Sequence, residues 1–246
     1  MIRAHDSIPT SEIRLLIFDL DGTLVDSQLD LANAVNAMLV ECGRPELPVD
    51  LIASYIGDGA PMLVRRALGD PKDEHYLQSA LHSFMSHYRA HKLDNTFAYP
   101  GVAEMLERVT QSAGDRIKMA VLTNKPVNPS RGILEGLGLS KYFVQVYGGN
   151  SFETKKPDPL GALALLKETN TLPEHAIMIG DSQTDVLTAR NTGMWSIGVT
   201  YGFSPESLTK HPPDVLVDEV PEITQALGLE AAAPLSGDLP STEGFV

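Results

Sequence analysis

Residues 15–26 read Leu-Leu-Ile-Phe-Asp-Leu-Asp-Gly-Thr-Leu-Val-Asp, four apolar residues running directly into two carboxylates two positions apart. The run 15–18 is too short and too continuously apolar for an amphipathic helix, so it is predicted to be a strand buried on both faces. Asp19 then stands at the carboxyl end of that strand, the edge where open parallel α/β sheets bind ligands. Gly22 allows a tight turn that folds the backbone over Asp19 and Asp21. Asp, Gly and Thr are also ordinary turn residues. The stretch alone therefore fits either a plain strand exit or a site for a divalent cation, since hard cations choose carboxylate and carbonyl oxygens.

At 246 residues and 43% apolar content, the chain is long enough for one large domain or a core with a smaller insert. A net charge of -13 opposes sequence-independent nucleic-acid binding, which needs a basic surface to displace counterions. No apolar run approaches the roughly 18 residues of a spanning helix, and residues 1–12 lack the apolar centre of a signal peptide. The expectation is a cytoplasmic protein with no membrane contact. Cys42 is the single cysteine, which excludes an internal disulfide and fits a reducing compartment; it reads as a packing residue near a helix end. The seven histidines show no metal-ligand spacing. His87 and His91 are one helical turn apart but lack a third ligand.

Beyond Asp26 the apolar period becomes helical, with Leu29, Ala32, Val35 and Leu39 on one face and Gly43 and Pro45 as a stop. Further helices are predicted near 49–55, 61–68 and 73–93, with Pro61 in a first turn, where its missing N–H costs nothing. Residues 27–97 thus read as a helical insert without a strand. From residue 98 onward short apolar runs alternate with helices, predicting strands at 118–122, 144–147, 176–179, 196–199 and 215–217. The fold class is α/β: one parallel sheet, formed by 13–26 and 98–229, split by an α-helical cap over 27–97. Residues 1–12 and 230–246 are expected to be flexible termini. No repeat or heptad run is visible, and the oligomeric state stays open.

Other strand ends carry polar residues. Thr123-Asn124-Lys125 follows the strand at 118–122; a hydroxyl there suits a phosphate oxygen, although taken alone a turn with Thr or Asn as a helix cap is the more common meaning of the triplet. Lys155-Lys156-Pro157-Asp158-Pro159 presents a lysine on a proline-stiffened approach. Gly180-Asp181-Ser182-Gln183-Thr184-Asp185 ends another apolar strand in acid, and a helix starting near Ser182 lets Asp185 face Asp181. Acids converging on one sheet edge repel unless a cation neutralises them, and Mg2+ fits an all-oxygen set.

Asp19-Leu20-Asp21-Gly22-Thr23, Thr123, Lys156-Pro157 and Gly180-Asp181 with Asp185, in this order, resemble the motifs of the haloacid dehalogenase superfamily of phosphohydrolases. The resemblance spans about 13–228 and implies a Rossmann-like core with a cap inserted after the first motif. Segments 56–60, 65–68, 99–102, 122–126, 148–159 and 198–202 look most like the phosphoglycolate phosphatase group within it. That likeness implies a small anionic phosphorylated metabolite as substrate, 2-phosphoglycolate favoured. Other small phosphoesters, a phosphomutase reaction and a non-catalytic binding protein are the alternatives.

The resemblance implies that Asp19 is the nucleophile and that Asp21 is the general acid, its backbone carbonyl going to the metal. Asp181 would ligate Mg2+, and Asp185 would be a second ligand or hold metal-bound water. Thr123 and Lys156 would bind the transferring phosphate, Lys156 being preferred to Lys155 because the family lysine directly precedes proline. Asn124 joins this set. In the cap, Gly57, Asp58 and Gly59 open a helix whose free N–H groups could receive a carboxylate. Arg66, or its neighbour Arg65, is a basic option there. Asp26 reads as a cap of the first insert helix.

Overall fold

The computed structural model describes residues 2–4 and 8–229. In chain order the elements are β1 (Arg3–Ala4), β2 (Leu15–Phe18), β3 (Val25–Asp26), α1 (Gln28–Glu41), α2 (Val49–Ala53), α3 (Ala60–Ala67), α4 (Glu74–His91) and β4 (Phe97–Ala98). There follow α5 (Val102–Ala113), β5 (Lys118–Leu122), α6 (Val127–Gly136), β6 (Gln145–Tyr147), α7 (Leu160–Thr169), β7 (Ala176–Gly180), α8 (Gln183–Thr192), β8 (Trp195–Val199), α9 (Ser207–Lys210), β9 (Val215–Val217) and α10 (Val220–Ala226).

Seven strands form one sheet in the order β1-β9-β8-β7-β2-β5-β6. All four residues of β2 are buried because both faces are covered. Leu16 and Phe18 enter a core with Val102, Leu106 and Ile223 from α5 and α10, while Leu15 and Ile17 pack with Leu165 and Ala189 from α7 and α8. This is why the run is continuously apolar rather than alternating. β2 lies between β5 and β7 and parallel to both, with Phe18 opposite Val121 and Ile179. Residues 19, 123 and 181 therefore leave the sheet side by side.

The sheet is mostly, not wholly, parallel: β1 pairs antiparallel with β9, Arg3 opposite Leu216. The sequence predicts an unpatterned lead-in over 1–12, and a two-residue edge strand carries too little periodicity to be seen there. The expected loose segment 230–246 lies outside the described residues, as do residue 1 and residues 5–7. No helix among the described residues is long and apolar enough to cross a membrane.

Helices α1 to α4 share a separate core that includes Leu31, Val35, Met38, Leu63, Phe84 and Tyr88. Pro61 sits in the first turn of α3, and Asp73 caps α4 by accepting the Tyr76 N–H. Cys42 closes the C-terminus of α1 as a free thiol. Where the chain enters and leaves this helical unit, β3 and β4 form a two-residue antiparallel ladder. Asp26 accepts the Gln28 N–H at 3.0 Å at the start of α1. The exit is held by Asp30, whose carboxylate accepts the N–H groups of Asn95 and Thr96.

Candidate active site

Asp19, Asp181 and Asp185 bring one carboxylate oxygen each within 4.8 Å of one another. Asp19 continues the line of β2 through its N–H, which donates to Ile179 at 2.9 Å. Burial raises its carboxyl to about 6; Lys156 opposes the shift and Asp185 adds to it. Asp181 is pushed well above the ordinary carboxyl value by burial and then by Asp185 and Asp19, although the Phe203 N–H donates to it at 2.7 Å. Asp185 lies in the first turn of α8 in a capping box with Ser182. A buried group of three acids with one lysine has surplus negative charge, and this donor set fits a hard cation.

The packing around these acids leaves little room for other residues. Gly22 has φ +79°, and a Cβ there would lie 2.4 Å from an Asp181 oxygen. A Cβ on Gly180 would lie 2.1 Å from the Asp185 carboxyl carbon.

The two adjacent lysines separate by direction. Lys156 is buried and reaches Asp185 at 2.6 Å and Asp19 at 3.1 Å. Burial works against its charge, but the two carboxylates outweigh it and hold its pKa above the ordinary lysine value. Lys155 turns the other way and donates to the backbone carbonyl of Asp58 in the helical unit.

Asp21 points away from the acid cluster. Its carboxylate receives the Ser27 hydroxyl at 2.6 Å and both its oxygens contact the Lys125 ammonium at 3.0 Å. Lys125, to which its sequence triplet assigns no role, is 5% exposed. Its charge lies 4.5 Å from the centre of the Tyr88 ring on α4. Burial works to lower its pKa, but Asp21 and Tyr88 together outweigh it and push it up to about 12. No periodicity marks Lys125 or Tyr88 as partners, because they are brought together only by the packing of the helical unit over the sheet edge.

Thr123 and Asn124 are buried and line one cleft with Asp19, Asp21 and Asp181. Asn124 donates from Nδ2 to the Gly57 carbonyl at 3.0 Å and to that of Lys156 at 3.1 Å, so it ties the helical unit to the core. Gly57 and Gly59 also line the cleft. Asp58 and Arg66 do not face it: they pair with each other, and Arg66 also donates to the Tyr55 carbonyl. Arg65 is taken by Asp70 and Glu74. Both arginines expected near the substrate are thus paired with acids of their own helical unit and do not line the cleft.

Comparison with known proteins accords with this geometry. Residues 16–199 match the family described as haloacid dehalogenase-like hydrolase. Phosphoglycolate phosphatase 1 of Pseudomonas aeruginosa is 36% identical over 245 residues, covering 97% of this chain and 88% of that protein. The phosphoglycolate phosphatase of Psychrobacter arcticus is 41% identical over 78% of this chain and 85% of its own length. A crystal structure titled as a predicted phosphoglycolate phosphatase from Haemophilus somnus superposes with a TM-score of 0.81 at 30% identity, covering 87% of this chain and 97% of that one. The chain belongs to the haloacid dehalogenase-like hydrolases. Within that family it is an enzyme of the phosphatase kind.

Proposed function

We propose that this enzyme is a Mg2+-dependent phosphomonoesterase that hydrolyses 2-phosphoglycolate to glycolate and phosphate through a phosphoryl group carried on Asp19. The observation that carries the reading is the convergence of Asp19, Asp181 and Asp185 around one lysine at the sheet edge. The names of the relatives support the substrate.

In this reading the ionised Asp19 carboxylate attacks phosphorus in line, forming the aspartyl O–P bond as the bond to the glycolate oxygen breaks. Asp21 gives its proton to that departing oxygen. It then takes a proton from a water molecule that attacks the same phosphorus and frees Asp19. Thr123 and Lys156 hold and neutralise the transferring group. Asp19, Asp181 and the Asp21 carbonyl would hold Mg2+, with Asp185 as a further ligand or the holder of a coordinated water; the ion supplies charge neutralisation at the phosphoryl oxygens. Residues 27–97 act as a cap that excludes bulk water from the cleft.

The test is phosphate release from a panel of phosphorylated metabolites with Mg2+ and without any sugar bisphosphate. The expected result is the highest kcat/KM for 2-phosphoglycolate. Preference for a nucleotide, pyrophosphate or sugar phosphate by about tenfold, roughly 1.4 kcal/mol of transition-state discrimination, would overturn the substrate. Mg2+-dependent release that survives Asp19→Asn would overturn the mechanism.

A further inference from the structure

Lys125 extends from the end of β5 into the cleft, and Tyr88 meets it from α4. Among the described residues lining the cleft, Lys125 is the only cation. Lys125 is itself paired with Asp21, but Lys156, Arg65 and Arg66, paired with Asp19 and Asp185, with Glu74 and with Asp58, do not line the cleft at all. The Tyr88 hydroxyl is buried beside the Lys125 ammonium, which can only donate to it, and its own proton has no acceptor among the described residues. Otherwise the cap wall is largely apolar, with Leu31, Ile56, Leu63, Phe84 and Met85. A buried hydroxyl whose proton has no acceptor is unfavourable, so one facing a cleft is best accounted for by a ligand atom. An apolar leaving group would leave that proton without an acceptor, whereas an anionic one meets an ammonium and a phenol together.

We infer that Lys125, backed by the Tyr88 hydroxyl, is the receptor for an anionic group on the leaving-group side of the substrate, a carboxylate in the phosphoglycolate reading on which this inference rests. Lys125 contacts both oxygens of Asp21. In phosphoglycolate one methylene separates the carboxylate from the oxygen that departs. A cation holding the carboxylate must therefore neighbour the acid that protonates that oxygen, and this pair has that arrangement. Lys125 and Tyr88 thus set specificity, while the phosphoryl end is handled by the sheet-edge acids, Thr123 and Lys156.

The experiment compares kcat/KM for 2-phosphoglycolate with that for ethyl phosphate, in which a methyl group replaces the carboxylate, for the wild type, Lys125→Met and Tyr88→Phe. Tyr88→Phe keeps the ring stacked on Phe84 and removes only the hydroxyl, so it decides the matter if Lys125→Met does not fold. The wild type is expected to favour 2-phosphoglycolate, with the ratio between substrates falling by about tenfold or more in Lys125→Met and about threefold or more in Tyr88→Phe. A wild-type preference that both variants keep, with the two substrates slowed equally, would overturn this inference and leave the substrate assignment standing. Absence of any wild-type preference would instead bring down the substrate assignment, and the inference with it.

Discussion

Lys156 and Asp185 form an ion pair at 2.6 Å with side chains only 2% and 3% exposed. Removing one partner of a buried pair strands the other charge in a medium that cannot solvate it. Lys156→Met is therefore expected to cost about 3–5 kcal/mol of stability, read by urea denaturation, and to abolish phosphate release. Adding Asp185→Leu to that variant removes the stranded charge and is expected to restore part of the stability but none of the activity. A double variant no more stable than the single one would show that the loss arises elsewhere.

Asp19 links stability to pH. Burial, opposed by Lys156 and aided by Asp185, raises its carboxyl from 3.8 to about 6, so between those values the folded chain holds a proton that the unfolded chain has released. The stability this group contributes is complete below pH 3.8 and is lost as pH rises through about 6. In chelator, Asp19→Asn is expected to gain on the wild type across that interval in urea titrations. Mg2+ is expected to raise the wild-type melting temperature, because a ligand that binds only the folded state stabilises it. A wild-type-to-variant difference that stays flat across the interval would contradict the assignment.

Asp30 is 1% exposed and its carboxylate accepts the Asn95 and Thr96 N–H groups, the Asn95 amide and the Thr96 hydroxyl. Burial works to raise its pKa, yet these donors prevail and hold it below 3.8. Its contribution is thus present above pH 3.8 and lost as pH falls through the lowered value. Asp30→Ala leaves buried donors unpaired and is expected to cost about 2–4 kcal/mol, with Asn95 and Thr96 among the first amides to gain hydrogen exchange. Unchanged exchange at those two amides would rule out Asp30 as the clasp of the cap exit.

The β2 run was legible because burial on both faces demands an unbroken apolar stretch, and its acids were legible because a strand ends abruptly where charge begins. The same signal exposed β5 and β7, and parallel pairing then forces their ends together. β1, β3 and β4 left no comparable mark, since two residues carry no period. Arg66 looked available in the sequence because its partner Asp58 lies eight positions away across a helix start, a separation that no helical spacing rule covers. Asp30 was equally hidden: its donors are 65 and 66 residues distant.

What the linear chain determined by itself was where buried strands end in acidic and polar residues, because apolar run length and strand-end polarity are local properties. Which lysine enters the acid cluster rests on the resemblance in sequence and on direction in space, with Lys156 turned inward and Lys155 turned to the cap loop. Tertiary structure alone decided that Asp21 meets Lys125 and that Tyr88 covers it. These contacts join β5 to α4 across the cleft, and only the packing of the helical unit on the sheet brings them within reach.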